Sequence, residues 1–532
     1  MMNIILVLSV LAAVLGLTAM VMEFRRSLMM LQQNSYRNDR YSRYLRESGD
    51  STDWMKLGAL AVLFIVINTK VPTLVSSLLM VAYFTLICVR LWRRKYKKPL
   101  VWTRRVWRIF VVMAVLAVLV MLPFAILVAK LRTVELIAFY MASELLLIYD
   151  VSAWLARVAN WLLRPVERKI NQGYIDDAAR ILASMPDLKV VGITGSYGKT
   201  STKHYLNRIL SEKLSVCMTP GSYNTTMGVV RTIREYLQPY NEVFIVEMGA
   251  KQPGDIKEIC DLVHPSVGII TAVGEQHLES FKSIENVQRT KFELVDALPS
   301  GGLAVVNDDF PFVANRKVDN VAVVRYGVEP RDAVQFYARD VEYSVRGTEF
   351  TVVHPAGELR LRTRLVGECN ISNLLAAVAV ALYLGVSDDK IRYAVEKIEQ
   401  VEHRLNVKRT PGGLTIIDDA FNSNPAGSAM ALDVLAAMTP GKRIVITPGM
   451  IELGDRQEEL NRAFGEKIAA SADVAVVVGR YNRDAILAGI GENPAIEVHA
   501  VDTFADAQRL LGGIAGAGDT VLYENDLPDT FK

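Results

Sequence analysis

Gly195, Gly198, Lys199 and Thr200 stand together in Thr194-Gly-Ser-Tyr-Gly-Lys-Thr-Ser201, directly after the apolar run Lys189 to Ile193 and before Thr200 to Leu210, which has helical spacing. A strand that turns tightly into a helix aims backbone N–H groups at whatever lies over the turn, and the helix dipole adds positive potential there. The chemistry this suits is phosphate binding. Gly195, Ser196, Tyr197 and Gly198 wrap the anion, Lys199 neutralises its terminal phosphates, and Thr200, next to Ser201, offers a hydroxyl to Mg²⁺. The common phosphate loop has a glycine five residues before Gly198, but Ile193 is there, so this loop is a shortened form.

Three further side chains suit metal and phosphate chemistry. Glu247 closes Ile-Val-Glu247-Met-Gly249, His277 lies in Gly274-Glu-Gln-His277-Leu-Glu-Ser-Phe281, and Lys291 lies in Arg289-Thr-Lys291-Phe-Glu293 on a helical stretch. Taken singly, each has a plainer structural explanation as an ion pair or a buried polar group. Their succession behind one phosphate loop is what makes a site.

The elements that must hold them are legible as alternating apolar runs and helical stretches. Runs at Leu214 to Met218, Val243 to Met248, Val267 to Thr271 and Leu303 to Asn307 predict an α/β domain built on a mostly parallel sheet with helices on both faces. In such a sheet ligands bind at the carboxyl ends of the strands. Alternation between Val341 and Leu365, with a turn at Ala356-Gly357, predicts antiparallel strands, and Asn373 to Leu384 predicts a helix. Beyond a boundary at Glu402 to Thr410, β runs at Leu414 to Ile417, Arg443 to Thr447, Val474 to Val478, Ile496 to Ala500 and Thr520 to Tyr523 predict a second, Rossmann-like domain able to close over a nucleotide.

From about Asn171 to Glu524 the motifs recur in an order and spacing that resemble the Mur ligase family, the ATP-dependent amide-forming enzymes of cell-wall (peptidoglycan) biosynthesis. The elements that carry the resemblance are the phosphate loop, Ser222-Tyr-Asn224-Thr-Thr-Met-Gly228, Glu247-Met-Gly249, His277-Leu and Lys291-Phe-Glu293. They continue with Gly367-Glu-Cys-Asn370-Ile-Ser-Asn373, Asp418-Asp-Ala-Phe-Asn422-Ser-Asn-Pro425 and Gly449-Met-Ile-Glu452-Leu-Gly454. Among the members, the chain is most similar to those that add D-alanyl-D-alanine. The resemblance implies ATP and two Mg²⁺ ions. Lys199 would hold the β and γ phosphates, Thr200 and Glu247 the bridging Mg²⁺, and His277 a second Mg²⁺. Lys291 matches the family's carbamylated lysine, whose added carboxylate supports that metal where a positive lysine could not. Lys199, His277 and Lys291 are thus the implied catalytic set. Asn370 and Asn373 match the segment near the adenine, Arg404 the arginine after the interdomain hinge, and Asp419 a nucleotide-contacting acid. Asn224, Thr225, Asn422 and Asn424 fall to substrate binding.

Four departures separate acceptor and amine specificity from the ATP chemistry. The family's uridine-gripping N-terminal domain is replaced by apolar helices, Cys369 stands where histidine usually precedes Asn370, and Asn461 stands where the D-alanyl-D-alanine ligases commonly have histidine. Tyr523-Glu-Asn-Asp-Leu-Pro528 replaces a Lys-Gly-Ser-Arg stretch.

The length of 532 residues allows about three or four domains. The mean hydropathy of +0.22 is high for a soluble chain, and the excess lies near the N-terminus. Apolar runs at Asn3 to Met22, Trp54 to Asn68, Val71 to Leu91, Val106 to Ala129 and Val134 to Trp154 predict about five membrane spans, the second and third joined as a hairpin around Lys70-Val-Pro72. Arg164-Pro165 predicts the end of the last helix, followed by an amphipathic helix from Tyr174 to Met185. Residues 1–172 carry 23 Lys/Arg against 9 Asp/Glu, and the remainder 37 against 48, a division that speaks against nucleic acid as the partner. Two arginine-rich loops, Arg25 to Arg46 and Arg90 to Arg108, belong on the cytoplasmic side. Glu135, Glu144 and Asp150 lie in or beside the last span, where a carboxylate is a functional candidate. Cys88, Cys217, Cys260 and Cys369 stand far apart, with neither zinc spacing nor a disulfide framework.

The expected organisation is a transmembrane region over 1–165, a central ATP-binding domain over 166–403 and a C-terminal Rossmann-like domain over 404–532. The expected protein is a multi-pass enzyme of the inner (plasma) membrane with cytoplasmic catalytic domains. It joins an amino acid or dipeptide amine to a carboxylate acceptor, a lipid-linked or UDP-linked muramyl peptide. Two alternatives remain open on the residues: a ligase resembling poly-γ-glutamate synthase, and a membrane ATPase that is not a ligase.

Overall fold

The structure is a computed structural model, and it describes residues 2–50, 53–67, 71–96, 98–128, 134–344, 347–421, 423–438 and 440–527. Two compact units divide the chain: residues up to Asn171, joined by Leu527, and Gln172–Asp526.

The first unit is helical: α1 (Met2–Gln33), α2 (Asn38–Glu47), α3 (Trp54–Ile67), α4 (Thr73–Arg93), α5 (Arg104–Val128) and most of α6 (Val134–Ala183). Among the described residues, four stretches are long and apolar enough to cross a membrane: Asn3–Gln33, Thr73–Arg93, Arg104–Pro123 and Leu136–Leu162. The sequence predicts five. The missing one is α3, whose 14 residues rise about 21 Å, short of the roughly 30 Å of a hydrocarbon core. These helices are apolar all round. Small residues such as Ala12, Ala19 and Ala142 face inward, while Val7, Val14, Leu78 and Val118 face outward. α3 and α4 pack side by side, Arg90 at the end of α4 lying 2.6 Å from Asp53, just before α3, while Lys56 at the start of α3 lies 3.5 Å from Glu23 of α1. Lys70 at the turn of the expected hairpin and the side chain of Glu135 lie outside the described residues.

The expected break at Pro165 is absent, and α6 runs through it for 50 residues. A proline withholds one N–H and crowds one carbonyl, here that of Trp161. When the turns on either side pair normally, this bends a helix without ending it. The predicted amphipathic helix from Tyr174 is therefore the last part of α6.

In the second unit the chain continues as β1 (Lys189–Thr194), α7 (Lys199–Leu210), β2 (Val216–Met218), α8 (Thr226–Glu235), β3 (Val243–Glu247), α9 (Asp255–Val263) and β4 (Val267–Ile270). After these come α10 (Leu278–Phe281), α11 (Ile284–Asp296), β5 (Leu303–Asn307), α12 (Pro311–Ala314) and β6 (Ala322–Tyr326). The six strands form one sheet in the order β2-β3-β1-β4-β5-β6, parallel throughout. Side chains alternate across it. Val191, Ile245, Ile269 and Val305 pack on one face with α7, and Val190, Phe244, Ile270 and Ala304 pack on the other with α8, α9 and α11. The chain leaves β1 toward β2 and β3 on one side and later returns to β4 on the other, so the crevice between β1 and β4 is the switch point where ligands bind. The phosphate loop follows β1 at that point.

Next come β7 (Tyr337–Ser344), β8 (Gly347–His354) and β9 (Gly357–Thr363), the expected antiparallel sheet, then α13 (Glu368–Tyr383) and α14 (Asp388–Glu396). The second large sheet is built from β10 (Asn406–Arg409), β11 (Thr415–Asp419), α15 (Pro425–Ala436), β12 (Arg443–Thr447), α16 (Gln457–Ser471), β13 (Val474–Val478), α17 (Arg483–Ile490), β14 (Glu497–Val501), α18 (Phe504–Ile514) and β15 (Thr520–Glu524). Its order is β10-β11-β15-β12-β13-β14, and only β10 runs antiparallel.

Candidate active site

The loop from Gly195 to Gly198 needs its glycines. Gly198 has φ +82°, and a Cβ there would lie 2.4 Å from Asn373 Oδ1; a Cβ on Gly195 would lie 2.0 Å from Thr271 Oγ1. Ser196 ties the loop to the strand-end segment after β4, its hydroxyl donating to Gly274 O at 3.0 Å. Tyr197 stands edge-on to Phe310, with ring centroids 5.1 Å apart. Lys199, the first residue of α7, folds back so that Nζ donates to Gly195 O at 2.6 Å and Ser196 O at 3.3 Å. Burial lowers its pKa to about 8, with Glu247 opposing that shift and Arg404 adding to it.

Glu247 is level with the end of β1, its Cα paired with that of Ile193. Thr200 Oγ1 donates to its Oε2 at 3.1 Å, and Asn224 Nδ2 to its Oε1 at 3.0 Å. A residue the sequence reading passed over completes this cluster: Lys203 Nζ lies 3.0 Å from Glu247 Oε2, with both side chains buried. The available signal was its place one helical turn after Lys199, on the same face of α7. Burial pushes the Glu247 carboxyl up, but Lys203 and Lys199 outweigh it and hold the group below the ordinary range.

Lys291 on α11 is buried, and its pKa lies far below that of an ordinary lysine, because burial and the neighbouring positive charge of Lys199 both disfavour its ammonium form. Both effects favour the neutral amine, the form that is nucleophilic. His277 precedes α10 with φ +54°, and its Nδ1 contacts Glu452 Oε2. Burial lowers its pKa, Glu452 opposes this, and Lys251 and Lys291 add to it.

From the C-terminal part, Arg404 stacks 4.2 Å over the Phe421 ring and shares the electrostatic surroundings of Asp419, Glu247 and Lys199. Asp419 ends β11 and accepts from Leu405 N at 3.1 Å; burial raises its carboxyl to about 6 against the pull of Arg404. Lys199, Glu247, Lys291, His277, Arg404 and Asp419 thus come together. The remaining expected residues hold structure at its margin. Asn373 Oδ1 accepts from Thr202 at 3.1 Å and Asn370 Oδ1 from Tyr205 at 2.7 Å, both fastening α13 to α7. Ser201 is buried on α7. Thr225 caps α8 and Asn424 caps α15. Asn422 lies outside the described residues.

Among the described residues no three His, Cys, Asp or Glu side chains converge as a ready metal centre. The oxygen donors present, Thr200 and Glu247, suit a hard divalent cation whose other ligands are phosphate oxygens and water. Glu452 already places one carboxylate on Nδ1 of His277, and a carbamate on Lys291 would add a second near that imidazole. The residues therefore fit Mg²⁺ completed by a nucleotide.

The family model described as Mur ligase middle domain matches residues 193–381, and that described as Mur ligase, glutamate ligase domain matches 403–523. A UDP-N-acetylmuramoyl-tripeptide--D-alanyl-D-alanine ligase of Bacillus subtilis is 28% identical over 341 residues, covering 63% of this chain and 72% of that protein. The enzyme of the same name from Escherichia coli is 31% identical, covering 57% and 68%. Among solved structures, MurF from Acinetobacter baumannii superposes with a TM-score of 0.61 at 27% identity, over 66% of this chain and 77% of that one. MurF ligase from Thermotoga maritima in complex with ADP gives 0.60 at 26%, over 66% and 80%.

Proposed function

This chain belongs to the Mur ligase family of ATP-dependent peptide ligases, and we propose that it joins D-alanyl-D-alanine to a muramyl tripeptide at the cytoplasmic face of the plasma membrane. The observation that carries the reading is the gathering of Lys199, Glu247, His277 and Lys291 around one phosphate loop, with Arg404 and Asp419 facing it. The named relatives are ligases of this kind, which favours the reading over a poly-γ-glutamate synthase or a transport ATPase.

In the first step the acceptor's terminal carboxylate attacks the γ-phosphorus of ATP. The bond to the bridging oxygen breaks, leaving an acyl phosphate and ADP. Lys199 turns from its own loop carbonyls to the phosphates and offsets the charge developing there. Two Mg²⁺ ions, one at Thr200 and Glu247 and one at His277 and carbamylated Lys291, would spread that charge further. The carbamate forms when the neutral Lys291 amine adds to CO₂ and loses a proton. In the second step the amine of the dipeptide attacks the acyl carbon, the tetrahedral adduct collapses to the amide, and phosphate leaves. The two α/β parts exclude water that would otherwise hydrolyse the acyl phosphate.

The apolar helices support insertion in the bilayer, and an arginine-rich loop kept on the cytoplasmic side before α5, with α5 crossing out and α6 back, puts the catalytic part on the ATP side. The acceptor is then a muramyl peptide already attached to a lipid, which has no need of a uridine-gripping domain. The test is to supply the detergent-solubilised full chain with ATP, D-alanyl-D-alanine and either UDP-linked or lipid-linked muramyl tripeptide. ADP release that depends on both carbon substrates is expected, faster with the lipid-linked one. Release independent of both overturns the ligase reading, and turnover of the UDP-linked form alone overturns the lipid-linked one.

A further inference from the structure

We infer that Glu452 is a positioning residue for His277, presented by the C-terminal α/β part so that the imidazole is ready for a metal only when the two parts are joined. The inference rests on His277 being a metal ligand.

The geometry is specific. An imidazole that donates Nδ1–H to a carboxylate keeps its lone pair on Nε2, so the Glu452 contact at Nδ1 selects the tautomer and leaves Nε2 for the ion. The other Glu452 oxygen, Oε1, lies 3.5 Å from Lys251 Nζ, which fixes the carboxylate from a second side. His277 and Glu452 both hold left-handed backbone, with φ +54° and +63°. Non-glycine residues keep such a conformation where surrounding contacts impose it.

Those contacts form a seam. Glu279 N donates to Glu452 O at 3.3 Å, Arg456 pairs with Glu275, and a Cβ on Gly454 would come within 3.2 Å of Glu279 Cα. The segment after β4 and the segment after β12 are thus locked over five residues each. Separating the α/β parts removes the Nδ1 partner of His277, and docking restores it.

The experiment uses the full chain in detergent with ADP, titrated with Mn²⁺ and followed by electron paramagnetic resonance. The wild type is expected to take up two ions and His277→Ala one. Glu452→Ala should weaken the second ion about 100-fold and Glu452→Gln about tenfold, the range for loss of a carboxylate behind a ligating histidine. ADP affinity in EDTA should stay at the wild-type value in both, which also shows that the variants fold. Unchanged or tighter Mn²⁺ binding in either Glu452 variant, with His277→Ala still losing an ion, overturns the positioning role alone. Two ions retained in His277→Ala overturn the metal assignment beneath it.

Discussion

Lys203 Nζ lies 3.0 Å from Glu247 Oε2, and their side chains are 0% and 1% exposed. A buried pair of this kind is costly to break, since the survivor is left as an uncompensated charge. Lys203→Met should therefore destabilise the protein by about 3–5 kcal/mol. The double variant Lys203→Met, Glu247→Gln should regain much of that stability without regaining turnover. Thermal melts beside an ADP-release assay separate the two effects.

Lys291→Ala should abolish turnover, and short carboxylates such as acetate or formate should restore part of it by standing in for the carbamate. An active variant that ignores added carboxylate would refute the modification.

Gly198→Ala combines a left-handed backbone position with a Cβ only 2.4 Å from Asn373 Oδ1. It should lose most ADP affinity in a calorimetric titration. Adding Asn373→Ala removes the clash but leaves the backbone strain of roughly 1–2 kcal/mol, so recovery should be partial.

Glu524 is buried at the end of β15, where its oxygens accept from Ser423, from Ser428 at 2.8 Å and from Thr447 at 3.0 Å. Burial lifts its carboxyl to about 7. A carboxyl raised in the folded state binds its proton more tightly there than in the unfolded chain, so stability falls as pH rises from about 4.5 toward 7. Glu524→Gln should flatten that fall and leave the protein more stable than the wild type at pH 8 by at most about 3 kcal/mol, read as a higher melting temperature. Melts at pH 5 and pH 8 give the comparison.

Ser48→Cys should react with an impermeant maleimide only in inside-out vesicles, in a background stripped of native cysteines. Labelling in intact cells would reverse the orientation drawn from the arginine-rich loops.

Much of this architecture is visible in the chain itself. β5, β12 and β13 start and stop where their apolar runs do, because a strand buried on both faces admits few polar residues. β6 and β10 escaped notice because both are edge strands, and an edge tolerates charges such as Arg325 and Lys408. Pro165 misled for the opposite reason: the local rule for proline is strong, but the turns around it decide. The phosphate loop, Glu247, His277 and Lys291 announce themselves by type and spacing. The partner of His277 does not. Glu452 is 175 residues away in sequence, and only the packing of two sheets puts its carboxylate on the imidazole.

The short α3 has a mechanical consequence for the bilayer. Its 14 residues lie beside the 21 of α4, and the Arg90–Asp53 ion pair sets the start of α3 level with the end of α4. From that level α3 rises about 21 Å and α4 about 31 Å, so the described part of α3 ends roughly 10 Å short of where α4 begins. Were this unit set in a bilayer, α4 would match the hydrocarbon thickness and α3 would not, a mismatch that neighbouring helices or thinned lipid would have to absorb.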